Sequence, residues 1–172
     1  MKKETYIAKI RSAAPLALVA AGAAGVFALS LLYAPSAPER EGAAAPAAFG
    51  AGKTAVLYKS PNCGCCSGYA RALSDAGFRV DVVETDDMES VKDRYGIPEG
   101  GESCHTIAIG DYVVEGHVPL EAVARLLSEK PDVDGIGLPR MPSGSPGMPG
   151  PKRAPFEVYG MRDGAMEPYM TI

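Results

Sequence analysis

The sequence contains no tryptophan and no excess of basic side chains. It carries 17 lysines and arginines against 21 aspartates and glutamates, which gives a formal net charge of −4. Beyond residue 40 the imbalance grows, because 12 basic side chains there face 19 acidic ones. A nucleic-acid-binding domain needs a basic surface, so the composition argues against that class of function.

Cysteine is scarce, with four in 172 residues, and three of the four share one short loop. Cys63, Cys65 and Cys66 lie between a predicted strand and a predicted helix, while Cys104 follows much later. Core packing would scatter cysteines along the chain, whereas a cluster of soft sulphur donors predicts metal or redox chemistry. The alternative is a pair of structural disulfides in an oxidising compartment. Because the adjacent residues Cys65 and Cys66 can rarely form a disulfide with each other, the expected bridges are Cys63–Cys66 and Cys65–Cys104.

Residues 1–34 predict an export signal. Four positive residues precede an uncharged stretch from Ser12 to Ser36 that is long enough to cross a membrane as a helix. Positive residues stay cytoplasmic, so the rest of the chain is expected in the periplasm or the exterior. Ala34 and Ala37 are each followed by proline, which favours an uncleaved signal-anchor over a cleaved signal peptide. Residues 35–52, rich in alanine, proline and glycine, predict a flexible linker.

Residues 53–131 predict a thioredoxin-like domain of the α/β class. Hydrophobic patterns indicate strands at 53–59, 78–83, 104–109 and 112–115. Helices are expected at 67–76, after Asp86 or Asp87, and from Pro119. The order β-α-β-α-β-β-α makes the first two strands parallel and the last two a hairpin. The expected sheet is mixed and four-stranded, with flanking helices and a cysteine loop after its first strand.

Residues 132–172 predict an extended segment followed by a short β-like tail. The stretch from 135 to 150 is so rich in glycine and proline that neither a helix nor a central strand is expected there. It is a linker, or it brings the thioethers of Met141 and Met148 to the cysteine loop as metal ligands or as a cover. The tail, from Pro155 to Ile172, is expected to form a small hairpin around Asp163-Gly164.

The predicted sheet places Cys104, at the start of the third strand, beside the cysteine loop. Zinc sites of four cysteines usually use two separated C-x-x-C pairs, and the second pair is missing here. Bridging thiolates around several Cu(I) ions tolerate crowded sulphurs better, so copper is favoured over zinc. His105 is a further candidate ligand, whereas His117 is interpreted as a residue at the start of a helix.

Thiol–disulfide exchange is the alternative function, because Cys63 and Cys66 have C-x-x-C spacing at the start of a helix. Cys65 fits this function poorly, since it would scramble the pair. Thioredoxin-like oxidoreductases also place a cis-proline where this chain has Cys104-His105-Thr106. A third option is an adaptor stapled by disulfides or bound to zinc.

Four motifs in the same order resemble one bacterial family, the domain of unknown function 411, which includes CopG-type proteins of copper-tolerance operons. They cover about residues 53–150 and are residues 58–66, 103–106, 115–119 and 141–148. The resemblance implies a thioredoxin-like fold, an exported location, and a Cu(I) site formed by Cys63, Cys65, Cys66 and Cys104. It also implies exchange with other periplasmic copper carriers, or cycling between Cu(I) and Cu(II). Family members often carry an acidic residue where this chain has Pro149.

Overall fold

The computed structural model describes residues 48–172. The predicted signal-anchor, residues 1–34, and residues 35–47 of the predicted linker lie outside the described residues. Within residues 48–172, no helix is long and apolar enough to cross a membrane. This part of the chain is a mixed α/β structure of three helices and seven strands.

The first three elements form the predicted parallel β-α-β unit. They are β1 (Thr54–Lys59), α1 (Gly64–Asp75) and β2 (Arg79–Glu84), and β1 pairs in parallel with β2. Helix α1 is amphipathic and buries Tyr69 and Leu73 completely. The chain leaves α1 through Gly77, whose φ of +93° favours glycine, and turns into β2.

The next four elements also follow the predicted order. Helix α2 (Met88–Arg94) begins after Asp87, whose carboxylate accepts a hydrogen bond from the Ser90 N–H at 3.0 Å. Strands β3 (His105–Ile109) and β4 (Tyr112–Glu115) form an antiparallel hairpin, and β3 also pairs antiparallel with β1. Helix α3 (Leu120–Glu129) then contributes its apolar face to the main core.

The prediction of a four-stranded sheet is wrong, because the sheet has seven strands in the order β2-β1-β3-β4-β5-β6-β7. Strand β5 (Gly135–Gly137) pairs in parallel with β4 and antiparallel with β6, so it is the central strand that the sequence did not predict. The prolines of this segment begin at Pro139, which leaves the N–H groups of β5 available. A side chain at Gly135 would collide with the Val113 carbonyl oxygen, so glycine is required for this pairing.

The C-terminal tail forms the predicted hairpin. It consists of β6 (Glu157–Arg162) and β7 (Ala165–Thr171), which pair antiparallel around Asp163-Gly164. Because β5, β6 and β7 extend the same sheet, the boundary predicted between residues 131 and 132 does not separate two sheets.

The end of the predicted linker packs against this domain. The Phe49 ring lies edge-on to the Phe78 ring, with 5.2 Å between centroids. The Gly50 N–H donates to the Ala76 carbonyl oxygen at 3.0 Å. The last residues of the predicted linker therefore belong to the folded domain, because Phe49 packs against Phe78, which follows α1.

Candidate metal centre

The three clustered cysteines lie at the start of α1. Cys63 is the residue that caps the helix, and its Sγ lies 3.3 Å from the Cys66 N–H nitrogen that donates to it. Cys65 and Cys66 are in the first turn, where unpaired N–H groups and the helix dipole favour anionic sulphur. Cys63 and Cys65 are brought close together, with 3.4 Å between their sulphurs.

A buried lysine at the end of β1 holds the loop that leads into this cluster. Lys59 is 3% exposed, and its Nζ donates to the carbonyl oxygens of Ser60 and Pro61 at 3.0 and 3.2 Å. The same ammonium pairs with Glu84 Oε1 at 2.8 Å. The backbone before Cys63 is therefore fixed by a charged side chain rather than left as a free loop.

Strand pairing brings Cys104 to the cluster, as the sequence predicts. Strands β1 and β3 are antiparallel, with Lys59 opposite His105, so the residue before β3 lies beside the end of β1. Cys104 Sγ is 3.6 Å from Cys66 Sγ, although 38 residues separate the two. The four cysteine sulphurs all lie within 4.8 Å of one another.

Cys63 and Cys66 are joined by a disulfide, while Cys65 and Cys104 are free thiols. The first bridge of the disulfide alternative is therefore present and the second is not. Burial and the neighbouring Cys65 raise the pKa of Cys104 to about 12. In this state the cluster offers two thiols, and a set of four thiolates requires reduction of the bridge by two electrons.

His117 is the residue whose contact with the site the sequence did not predict. It is completely buried, and its Nε2 lies 3.1 Å from Cys104 Sγ. Gly116, with a φ of +77°, turns the chain out of β4 and carries His117 toward the cysteines. Its position two residues before Pro119 suggested only the start of a helix, and no local pattern shows the contact with Cys104.

His105 is also completely buried, and it contacts the same thiol. Its Nδ1 lies 3.4 Å from Cys104 Sγ, and its ring lies edge-on to His117 with centroids 4.6 Å apart. Burial, with smaller contributions from His117 and Lys92, lowers the pKa of His105 to about 3. Burial also lowers the pKa of His117. Cys104, His105 and His117 form a second group of potential ligands within 4.8 Å of one another.

The segment that carries Cys104 is held by a buried carboxylate. Glu115, which is completely buried, accepts hydrogen bonds from the Ser103 N–H at 2.7 Å and from Thr106 Oγ1 at 2.6 Å. It also forms an ion pair with Lys92 of α2. Burial raises the pKa of the Glu115 carboxyl, and these donors oppose the rise. Because its partners Ser103 and Thr106 flank Cys104-His105, Glu115 holds the backbone segment that carries these two residues.

The glycine- and proline-rich segment crosses the start of α1 instead of leaving the domain. A Cβ at Gly147 would lie 2.6 Å from the Tyr69 nitrogen and 2.8 Å from the Cys65 carbonyl oxygen. The Pro146 carbonyl oxygen is 2.7 Å from His117 Nδ1. The backbone of this segment therefore packs against the first turns of α1 and against His117, whereas a cover formed by the thioethers of Met141 and Met148 stays a prediction.

The two methionines of the segment differ in their surroundings. Met141 is 49% exposed and lines a surface groove together with Arg140 and Phe156. Met148 is half-buried and follows the glycine that touches α1. Ligation by either thioether stays a prediction.

Gly147→Ala is expected to destabilise the protein more than Gly164→Ala does. Both glycines have a left-handed φ, +80° and +74°, so each substitution incurs a backbone cost of about 1–2 kcal/mol. Only at Gly147 would the added methyl also meet backbone atoms of α1, which costs a further ~1–3 kcal/mol. Urea unfolding of the full-length protein measures both losses, and equal losses would show that the segment does not press on α1.

Taken together, the fold and the site define a class: a mixed α/β protein with a sulphur-rich centre for metal or thiol chemistry at the start of a helix. The signature of the family described as "Protein of unknown function, DUF411" matches residues 101–148. No curated protein sequence matches the chain.

Two solved structures are similar over most of the chain. Both are named copper resistance protein copG, in a form 2 and a form 1, and each is 36% identical with a TM-score of 0.64. The first match covers 70% of this chain and 98% of the other, and the second covers 69% and 96%. The chain belongs to the DUF411 family of CopG-type copper-tolerance proteins.

Proposed function

We propose that this chain is an exported copper-binding protein in which four cysteines hold one or more Cu(I) ions. The ligands are Cys63, Cys65, Cys66 and Cys104. The observation that carries the proposal is the convergence of these four sulphurs within 4.8 Å. Sets of soft thiolates select Cu(I), and adjacent cysteines suit bridging between ions better than a single tetrahedral zinc ion. The names of the two similar structures agree with copper as the metal.

The protein acts in copper tolerance by sequestering copper, transferring it or changing its oxidation state. His105, Met141 and Met148 are auxiliary ligands in this proposal, since imidazole and thioether donors both suit copper. Export and tethering to the inner membrane rest on the sequence of residues 1–34. The partners are then other periplasmic copper carriers or exporters.

The domain that carries the site is proposed to be thioredoxin-like. The order β2-β1-β3-β4 supports this, as do a parallel β1–β2 pair and antiparallel β1–β3 and β3–β4 pairs. The cysteine loop at the start of α1 agrees with it. Strands β5 to β7 then extend this unit along one edge.

Reduced full-length protein is expected to bind Cu(I) at least about tenfold more tightly than protein that keeps the Cys63–Cys66 disulfide. Reduction restores two of the four thiolates, and thiolate is the form that binds metal. An anaerobic titration against a chromogenic Cu(I) chelator measures both affinities, with detergent present for the N-terminal segment. Equal affinities of the two forms would contradict a site of four sulphurs.

Thiol–disulfide exchange is the second candidate function, and the disulfide between Cys63 and Cys66 at the start of α1 favours it. A C-x-x-C pair at this position is the arrangement that such oxidoreductases use. Among the described residues there is no cis peptide bond, and Cys104-His105 occupies the position expected for the cis-proline of that class.

Cys65→Ser is expected to separate the two functions. An oxidoreductase that uses Cys63 and Cys66 keeps its exchange activity in this variant, because both sulphurs remain. A copper site of four sulphurs instead loses Cu(I) affinity, roughly 10-fold or more. Reduction of a small disulfide substrate and the Cu(I) titration, performed on the same preparation, measure the two effects. Retained exchange with unchanged copper affinity would favour the oxidoreductase.

A further inference from the structure

The two sulphurs of the Cys63–Cys66 bridge differ in what can reach them. Cys63 is partly exposed at the start of α1, whereas Cys66 is completely buried. A thiol from outside the protein can therefore meet Cys63 but not Cys66. Inside the protein, the free thiol of Cys104 lies 3.6 Å from Cys66 Sγ. Cys104 is thus placed to react with the half of the bridge that solvent does not reach.

The sulphur that would be displaced also favours Cys104 as the attacking thiol. Attack on Cys66 displaces Cys63, whose sulphur accepts the Cys66 N–H at 3.3 Å at the N-terminus of α1. Both features stabilise a thiolate, and a stabilised thiolate leaves faster. Cys65, the other free thiol, lies 3.4 Å from Cys63 Sγ. Its attack would displace the buried sulphur of Cys66 instead, where burial disfavours the charge.

A proton acceptor stands beside the Cys104 thiol. The thiolate is the nucleophile in disulfide exchange, so the thiol must first give up its proton. His117 Nδ1 lies 2.7 Å from the Pro146 carbonyl oxygen, which accepts only, so Nδ1 carries the hydrogen and Nε2 keeps its lone pair. Nε2 lies 3.1 Å from Cys104 Sγ. A thiol in contact with an oriented imidazole is a common form of activated nucleophile.

The Cys104 side chain can move while its backbone stays in place. The residue lies at a bend just before β3, and the preceding Ser103 N–H is held by Glu115 at 2.7 Å. The side chain itself is partly exposed. A disulfide bond is about 2.05 Å long, so the Cys104 and Cys66 sulphurs must approach by roughly 1.5 Å. Rotation about the Cα–Cβ bond moves a sulphur by this amount.

We propose that the disulfide of this domain migrates, because Cys104 attacks Cys66, the Cys63–Cys66 bond breaks and a Cys66–Cys104 bond forms. The proton leaves Cys104 through His117 and ends on the displaced Cys63, so no electron is gained or lost. Cys63 and Cys65 are then two partly exposed thiols on a domain that is still oxidised. Cys63 can attack the disulfide of a substrate, forming a mixed disulfide and releasing a substrate thiol. This inference rests on thiol–disulfide exchange, the second candidate function, and copper binding does not depend on it.

The test uses metal-free, full-length protein in detergent with the substitution Cys65→Ser, which leaves three cysteines. The oxidised protein is treated with N-ethylmaleimide and digested with pepsin at low pH, where disulfides do not exchange. Mass spectrometry then locates the label and the bridge. Cys63 is expected to carry at least about tenfold more label than Cys104, with Cys66 joined to Cys104. A label on Cys104 beside an intact Cys63–Cys66 bridge, or no label, would overturn the proposal.

Addition of Cys104→Ser to this background is the control, because it leaves no free thiol once the bridge has formed. No label is expected, and a label on Cys63 would show that the bridge opens without Cys104, against the proposal.

A third variant, Cys63→Ser with Cys65→Ser, guards against a background that fails to fold. Glutathione disulfide is expected to join Cys66 to Cys104 in it, with release of two glutathione thiols. A lasting glutathione adduct on Cys104 would contradict the migration. Failure of the protein to reduce a small disulfide substrate would remove the second candidate function, whereas the position of the label still reports whether the bridge migrates.

Discussion

Cys104→Ser is expected to weaken Cu(I) binding by the reduced protein more than any other single cysteine substitution, by roughly 100-fold or more. Loss of an outer partner of a metal ligand already costs about 10–100-fold, and Cys104 is proposed to be a ligand itself. It is also the one cysteine that belongs to both groups of converging donors. A hydroxyl is a poor ligand for a soft ion, so serine keeps the shape and removes the bond.

Cys65→Ser is the matched comparison for this prediction. Both residues are partly exposed free cysteines, but Cys65 belongs only to the four-sulphur group. The anaerobic titration against a Cu(I) chelator is expected to rank wild type, Cys65→Ser and Cys104→Ser in order of decreasing affinity. A Cys104→Ser protein that binds Cu(I) as tightly as wild type would rule out Cys104 as a ligand.

The largest loss of stability is expected from Glu115→Gln, about 3–5 kcal/mol in the free energy of unfolding. The substitution keeps the size of the side chain but removes the negative charge, so the buried Lys92 ammonium loses its counter-charge. The glutamine amide also directs a donor where Ser103 N–H or Thr106 Oγ1 now donates to a carboxylate oxygen. Urea unfolding of metal-free protein, in a single redox state, measures the change.

Glu129→Gln provides the control, because Glu129 forms an i,i+4 pair with Arg125 in which both side chains are about half exposed. Exposed pairs contribute about 0–1 kcal/mol, so this variant is expected to unfold nearly as wild type does. Both variants lose one glutamate charge, so the difference between their free energies of unfolding measures the effect of burial. Equal losses at the two positions would mean that the Glu115 network does not stabilise the segment around Cys104.

Much of the first part of the fold was predictable, because its patterns are local. A short apolar run marks β1, alternating apolar residues mark β2, a helical period marks α1 and α3, and Gly110-Asp111 marks the hairpin of β3 and β4. Strand β5 was not predictable in this way. Its three residues, Gly-Ile-Gly, show no period, and they become a strand only because β4 and β6 supply hydrogen bonds on both sides. The sheet was therefore predicted with four strands instead of seven.

The candidate site also has a part that the sequence predicted and a part that it did not. Three of its sulphurs are neighbours in the chain, and the placement of Cys104 follows from the order of the strands. The contact between His117 and Cys104, 13 residues apart, depends on the turn at Gly116 and on a carbonyl oxygen 29 residues away. No spacing rule connects these residues. The sequence also did not predict the buried pair of Lys92 and Glu115, because its charged residues were interpreted as lying on a solvated surface.

By itself, the sequence determined the kind of chemistry: soft sulphur donors clustered at the start of a helix. Covalent spacing alone is sufficient for that, because residues a few positions apart must lie close together. Only the tertiary structure decided that Cys63 and Cys66 share a bridge, that two histidines join Cys104, and that a buried carboxylate holds its segment. The bridge joins residues three positions apart and was one of the alternatives that the sequence left open. The contacts of the histidines and of the carboxylate form between distant parts of the chain, so they exist only after strand pairing and burial have brought those parts together.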